Sequence, residues 1–458
     1  MTKKPLLLIF ATACLALLTQ AQDVVLKIVG GEKPAIAVAD FRGAGESAPF
    51  MEVFNKTLFG DLDNSGMFKM TAKSLFPLEV PQQPSDFQPP AAPPLPVRGR
   101  PAPTPAKKGP WLTDWSSPPV SAKYLAFGYA AAQNGQIVLA GWLFDVEQPN
   151  LAGAQLIGKR YFGPLSDIGA RQVAHEFAAD IIAKFGGESL LGSKIYFTSD
   201  RTGHKEIWSM DPDGANQKQI TRYRSISFTP AVSPDGKKLA FTSYAKGDPG
   251  IFVFSLETER QLLFYNQRAG LNATPNFTPD GQHILYASSA SGYTNIYMAD
   301  VDGGNLQRIS TSRRIEVEPK PNPKTGRDIV FVSGRSGPQQ IWKMSLDGTN
   351  AEMLTSGEGD ASNPSWHPNG EIIAFSWTKG FEPGNFNIFL MDVASRHIDQ
   401  LTHGRGRNEN PNWAPDGQHL VFASNRNGSM QIFSMLADGT HVVQLTTQGR
   451  NQMPVWGK

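Results

Sequence analysis

With 458 residues the chain has room for two or three domains, and its 43 Lys and Arg nearly cancel its 41 Asp and Glu. That balance excludes the strongly basic footprint of a nucleic-acid binder. The single cysteine, Cys14, excludes a disulfide framework.

Lys3 and Lys4 precede an apolar run from Leu6 to Leu18, followed by Thr19-Gln20-Ala21. A basic start, a short apolar middle and a small residue at the cut read as a secretory signal peptide over 1–21. The run is too short for a permanent span. Lipidation at Cys14 would cut the apolar run in half and lacks the leucine three residues earlier. Export of a chain cleaved near Ala21 is expected, without membrane insertion and with no cysteine left to oxidise.

Residues 22–190 are expected to form a small α+β domain. Asp23 to Ile28 is an extended arm, within 22–33, broken by Gly30-Gly31. Pro34 to Phe41 reads as a buried strand, and 48–60 has apolar residues at helical spacing. Tyr124–Ala130 and Gln136–Asp145 read as a hairpin around Asn134-Gly135, with Gln155–Tyr161 as a third strand. Asp167 is expected to cap a helix through Lys184, with Ile168, Val173, Phe177, Ile181 and Ile182 on its apolar side. Residues 77–110 interrupt this domain with twelve prolines and with Arg98, Arg100, Lys107 and Lys108. They read as an extended solvated loop, either a spacer or a ligand for a proline-recognising module or peptidoglycan.

From 191 the chain repeats itself. Pro230, Pro275, Pro319, Pro364, Pro411 and Pro454 recur every 43 to 47 residues. A Pro-Asp-Gly turn follows at Pro234, Pro279 and Pro415, and as Pro368-Asn369-Gly370. Each unit closes on a pair such as Ile220-Thr221, Ile309-Ser310, Leu354-Thr355, Leu401-Thr402 or Leu445-Thr446. Four short strands per unit at this period are the signature of propeller blades. Lys194 to Phe197 begins a unit at its second strand, and Met453 to Trp456 is a first strand with nothing after it. Together they predict a sixth blade built from both ends of the array, which removes the open edges at the seam. The fold class is therefore an α+β N-terminal domain followed by an all-β six-bladed propeller closed by the C-terminal strand.

Catalytic patterns are missing. There is no Gly-x-Ser-x-Gly elbow. His175-Glu176 lacks the second histidine of a zinc helix, since position 179 is Ala179, and reads as an interface histidine. Asp211-Pro212-Asp213-Gly214 and Asp300-Val301-Asp302-Gly303 share acidic residues with calcium loops, but they stand where each blade needs a hairpin turn. No catalytic residue, metal ligand or cofactor is expected. The loops feeding the innermost strands are the better candidates, since they ring one mouth of the channel. Three residues before the prolines stand Ser227, Asn272, Glu316, Ala361, Asn408 and Asn451. Near them are Arg224, Arg268, Arg314, Arg405, Arg407 and Arg450, while the unit at Pro364 offers Glu358 and Asp360. A polar mouth with a basic rim and one acidic sector is expected. Trp366, Trp413 and Trp456 fall at strand positions where they pack between blades, which argues against a glycan-binding mouth.

The chain resembles the TolB family, periplasmic propeller proteins of the Tol–Pal envelope system. The resemblance rests on the Asp23–Ile28 arm, the strand Ile36-Ala37-Val38-Ala39-Asp40-Phe41 and Asp61-Leu62-Asp63-Asn64-Ser65-Gly66-Met67-Phe68. Val80-Pro81-Gln82-Gln83-Pro84, Trp115, Ala174-His175 and the six Pro-containing units complete it. The long proline insertion departs from the pattern. The resemblance implies a periplasmic scaffold, not an enzyme, acting in envelope integrity and in constriction at cell division. It implies binding of a Pal-like peptidoglycan-associated lipoprotein at a propeller mouth, through Asn272, Glu316, Asn408 and Asn451 with Arg268, Arg314 and Arg407. It implies an inner-membrane TolA-like partner for the arm, residues Asp23, Val24, Val25, Leu26, Lys27 and Ile28. A monomer is expected. An accessory propeller of a hydrolase or peptidase, or a glycan-binding propeller, is the alternative reading.

Overall fold

A computed structural model describes residues 33–90, 109–404 and 406–458. The signal peptide, the arm from Asp23 to Ile28 and the centre of the proline insertion lie outside the described residues. The chain divides into two compact units, one ending at Leu191 and the other running from Gly192 to Lys458.

The first unit is built on a mixed sheet. Its strands are β1 (Ala35–Val38), β2 (Arg42–Ala44), β3 (Lys69–Met70), β4 (Tyr124–Gln133), β5 (Gln136–Asp145) and β6 (Gln155–Pro164). They lie in the order β3-β1-β4-β5-β6, with β2 also paired to β4. Asn134 and Gly135 join β4 to β5 with φ of 51° and 73°, the two positive values a tight hairpin demands. Helix α1 (Met51–Asn64) starts after a 3-10 turn, Gly45–Phe50, that contains Pro49. Proline is tolerated in a first turn and not beyond it, which moves the helix three residues past the expected start. Helix α2 covers Asp167–Lys184 as expected, but its cap is Ser166, whose hydroxyl accepts from the Gly169 amide. Ile168 is 67% exposed, because the buried stripe runs through Ala170, Val173, Ala174, Phe177, Ala178 and Ile181 and leaves position 168 off it.

Both helices cover one face of the sheet, with Phe54, Leu58, Val173 and Phe177 in a shared core. The other face has a core of its own. Phe87, Leu112 and Trp115, from the two flanks of the proline insertion, pack on Phe127 and Phe144. The Phe87 ring lies 5.4 Å from Phe127 and 5.6 Å from Phe144. The expectation of a wholly solvated loop over 77–110 is thus corrected at Phe87. Strands β4 and β5 carry apolar side chains on both faces, and the second face has to be covered too.

The second unit is a six-bladed propeller. Blades one to five each have four antiparallel strands in sequence order, with inner strands Ser227–Val232, Asn272–Phe277, Glu316–Pro321, Ala361–Trp366 and Asn408–Trp413. Blade six takes its inner strand, Asn451–Gly457, from the chain end and pairs it with Lys194–Ser199 from the array's start. Trp456 fixes this clasp: its ring is buried, its Nε1 donates to Ser193 and its amide donates to Asn412 of blade five. Trp366 and Trp413 are buried in clusters that join neighbouring blades, as expected.

Each inner strand carries a bulge between its second and fifth residues. The third residue has positive φ in all six: Thr229, Thr274, Glu318, Asn363, Asn410 and Met453. The recurring proline comes next. A bulge is the one place in an inner strand where no ladder bond needs a donor, so proline fits there. In four of the six, the amide of the third residue, lost to the ladder, reaches a neighbouring blade instead. Thr274 N donates to Thr242 Oγ1, Glu318 N to Thr274 Oγ1, Asn363 N to Glu318 Oε2 and Asn410 N to Ser376 Oγ.

Candidate interaction site at the propeller mouth

The expected site residues Asn272, Glu316, Asn408 and Asn451 are each the first residue of an inner strand, as are Ser227 and Ala361. All are buried. The side chains of Glu316, Asn408 and Asn451 run sideways, from blade to blade, while Asn272 donates to the Gln267 carbonyl in the loop that feeds its own strand. Asn408 Nδ2 donates to Asn387 of blade four, and Asn451 Nδ2 donates to Gln431 of blade five. Glu316 accepts from Asn295 of blade two and from Arg335 of its own blade at 2.6 Å. The next link is the closing residue of each blade. Thr355, Thr402 and Thr446 donate to Gln340, Asn387 and Gln431, and their hydroxyls accept the amides of Ile341, Ile388 and Ile432. The expectation that these four side chains face a partner is corrected: all four are buried beneath the mouth, and Glu316, Asn408 and Asn451 staple neighbouring blades together. The cause is register, since the first strand residue sits opposite the serine that ends the second strand, at Ser288, Ser333, Ser424 and Ser199.

The surface itself is one residue earlier. Ile226, Leu271, Ile315, Asp360, Arg407 and Arg450 each accept, through the backbone carbonyl, the amide of a residue just past the second strand of the blade. Three of these six positions are apolar and three are charged. Ile226 and Ile315 are 45% and 44% exposed, and Tyr244 and Tyr293 in the adjoining hairpins are exposed as well. Arg268 and Arg314 are exposed beside the apolar half. Arg407 pairs with Glu409 at 2.6 Å and lies over the Phe386 ring. The acidic sector at Glu358 and Asp360 is present and exposed, and Arg405 lies outside the described residues. The apolar half was missed by a reading that followed charge; its signal was an isoleucine or leucine directly before Ser227, Asn272 and Glu316.

Between the inner strands, blade three places Glu318 and Lys320. Glu318 accepts both the amide and the Nδ2 of Asn363. Burial pushes the Glu318 carboxyl up and the Lys320 ammonium down from their ordinary values. Among the described residues no group of three or more His, Cys, Asp or Glu is placed to hold a metal. His175 Nδ1 meets Asp61 at 2.6 Å between α1 and α2. Asp211 and Asp300 cap hairpin turns, their carbonyls accepting the amides of Gly214 and Gly303. Among the described residues no helix is long and apolar enough to cross a membrane.

Comparison with known proteins bears on the whole propeller. The family model described as the TolB beta propeller domain matches residues 189–382 and 352–458. A TolB homolog of Chlorobium chlorochromatii is 41% identical over 140 residues, 30% of this chain and 30% of its own length. The Tol-Pal system protein TolB of Desulfosudis oleivorans is 34% identical over 154 residues, 33% of each chain. The chain thus spans about a third of the length of these curated relatives. The crystal structure of TolB from Acinetobacter baumannii shares the fold, with a TM-score of 0.73 at 22% identity, covering 93% of this chain and 97% of that one. With more than half of its residues matched by that model, and with the six blades and the clasp in place, the chain belongs to the TolB β-propeller family.

Proposed function

We propose that this chain is a periplasmic scaffold of the Tol–Pal system, exported by the signal peptide and not an enzyme. Its propeller mouth binds a Pal-like peptidoglycan-associated lipoprotein, and its N-terminal arm, Asp23 to Ile28, binds a TolA-like inner-membrane partner. Through these contacts it supports outer-membrane integrity and constriction during division. The observation that carries the reading is the mouth ring of Ile226, Leu271, Ile315, Asp360, Arg407 and Arg450, an apolar arc joined to a charged one on a rigid scaffold. Exposed apolar side chains rimmed by charge suit a protein surface better than a small ligand. Arg268, Arg314 and Arg407 contact the partner in this reading, and Asn272, Glu316, Asn408 and Asn451 act from below by holding the loops.

Calorimetric titration of residues 22–458 with the soluble domain of a Pal-like lipoprotein tests it. Binding is expected, weakened about tenfold or more by Ile315→Asp and by Arg407→Glu. Binding untouched by either change would move the site off this mouth. No binding at micromolar concentrations would remove the partner assignment.

A further inference from the structure

Three blades place an arginine two residues after the serine that ends their second strand: Arg201 in blade six, Arg335 in blade three and Arg426 in blade five. Each guanidinium lies over aromatic rings, Arg201 at 4.5 Å from Trp208 and 5.5 Å from Phe197, Arg335 at 5.3 Å from Trp342 and 5.7 Å from Phe331. Arg335 finds a carboxylate, Glu316, at the first position of its inner strand. Arg201 finds an amide there. Its three side-chain bonds go to neutral oxygens: Nε to Ser199 Oγ at 2.9 Å, Nη1 to Gln217 Oε1 at 2.6 Å and Nη2 to Asn451 Oδ1 at 3.1 Å. Among the described residues no carboxylate pairs with it, and two N–H groups of the fork remain without a bond.

A half-buried guanidinium without a counter-charge is unfavourable, and burial alone lowers the Arg201 pKa with no charged neighbour offsetting it. Beside it lies a cavity of about 300 Å³, lined by Arg201, Trp208, Gln217, Thr447 and Gln448. Among the described residues the Trp208 Nε1 donor is buried without a partner, but so is that of Trp342 in blade three. What separates blade six from blade three is therefore the missing carboxylate; blade five also has an amide at that position, Asn408, which accepts from Arg426, and in blade six the missing charge stands beside a cavity. The loop over the cavity is held close by Gly449, at φ of +68°, where a Cβ would come within 2.8 Å of the Arg201 Cβ.

We infer that this cavity is a carboxylate site that takes an acidic side chain, Asp or Glu, from an extended protein segment lying across the mouth. The missing charge at Asn451 supplies the sign, and the planar fork of Arg201 suits a carboxylate. The volume suits one side chain with its flanking peptide groups, which the side-chain amide of Gln448 and the hydroxyl of Thr447 can bond, while the Gln217 amide already donates to the Gly214 and Leu445 carbonyls and braces the site. The cavity also belongs to the mouth layer, since Asp200 N donates to the Arg450 carbonyl and Arg450 N donates to Asp200 Oδ1 at 2.7 Å. The protein source of the carboxylate rests on the proposed mouth function; the charge of the site does not.

The test follows the Trp208 indole resonance in protein labelled at tryptophan, assigned with Trp208→Phe. The probes are N-acetylglutamate N-methylamide, its glutamine counterpart and N-acetylmuramic acid. The glutamate probe is expected to shift that resonance saturably, at least about tenfold more tightly than the glutamine probe, and to lose the effect in Arg201→Gln. Should Arg201→Gln fail to fold, the glutamate–glutamine contrast on the unaltered protein decides alone. Equal responses to those two, or none, overturn the carboxylate site. Tighter binding of N-acetylmuramic acid overturns the peptide source. No lipoprotein enters this measurement, so its failure and a failure of the proposed partner are separate results.

Discussion

Asn408 and Asn272 hold the same place in two blades and are wired differently. The Asn408 carboxamide donates to Asn387 and to the Gly406 carbonyl, and it accepts from Ser424 and Arg426. Asn272 reaches only the Gln267 carbonyl, because the third strand of blade one begins at Gly250, which has no side chain to meet it. Its Oδ1 is buried with no partner among the described residues. Asn408→Ala is therefore expected to cost about 2–3 kcal/mol, leaving Asn387 and Arg426 short of partners, and Asn272→Ala less than about 1 kcal/mol. Urea unfolding of the two variants measures the difference, and equal losses would sink the stapling account. The sequence marks both positions by their distance from the proline. It does not tell which way they point, because the extra residue of the bulge reverses the in-and-out alternation that a simple count assumes. A count from Pro411 finds Asn408 but cannot say that it is turned towards blade four.

At the scale of the element, turns and periods were legible and the closures were not always so. Asn134-Gly135, the helix from Asp167 to Lys184 and the clasp of blade six all follow from local rules. The closing residue of blade one escaped them. There Phe264 fills the place of Ile309 or Leu401, one residue is added, and Asn266 replaces the threonine, its Oδ1 accepting from Ile251 N and its Nδ2 donating to Ile251 O. An asparagine after an insertion does not match a hydrophobic-threonine pattern, although it satisfies the same amide. The clasp itself gives the next prediction. Asn451–Gly457 pairs along the whole of Lys194–Ser199 and buries Trp456. Deleting residues 451–458 opens a strand edge and removes a core aromatic, whose loss alone is worth about 3–5 kcal/mol. The truncated chain is expected to lose its cooperative propeller melt by circular dichroism, whereas deleting Lys458 alone shifts it little. A truncated chain that melts at the full-length temperature would show that the seam does not hold the ring.

For the molecule as a whole, the net charge of +2 leaves almost no long-range field, so steering has to come from the mouth. Charges act there over a Debye length of about 8 Å at physiological salt, roughly the reach of one loop. Asp360, Arg407 and Arg450 lie on one arc of the ring and Ile226, Leu271 and Ile315 on the other. If the proposed lipoprotein binds this mouth, the two arcs divide the kinetics. The charged arc sets how fast the partner arrives, and the apolar arc sets how long it stays. Stopped-flow association is expected to slow severalfold as salt rises, and Arg450→Ala to flatten that dependence while leaving dissociation nearly unchanged. Ile315→Ala is expected to speed dissociation by about tenfold with an unchanged salt slope. The opposite partition would mean that the partner's apolar contact lies elsewhere and that the isoleucines are bystanders. The closed ring makes this reading possible: six blades closed by the clasp, with staples at three of their seams, hold the two arcs at fixed spacing, so a change in either arc is read by the partner and not absorbed by the scaffold.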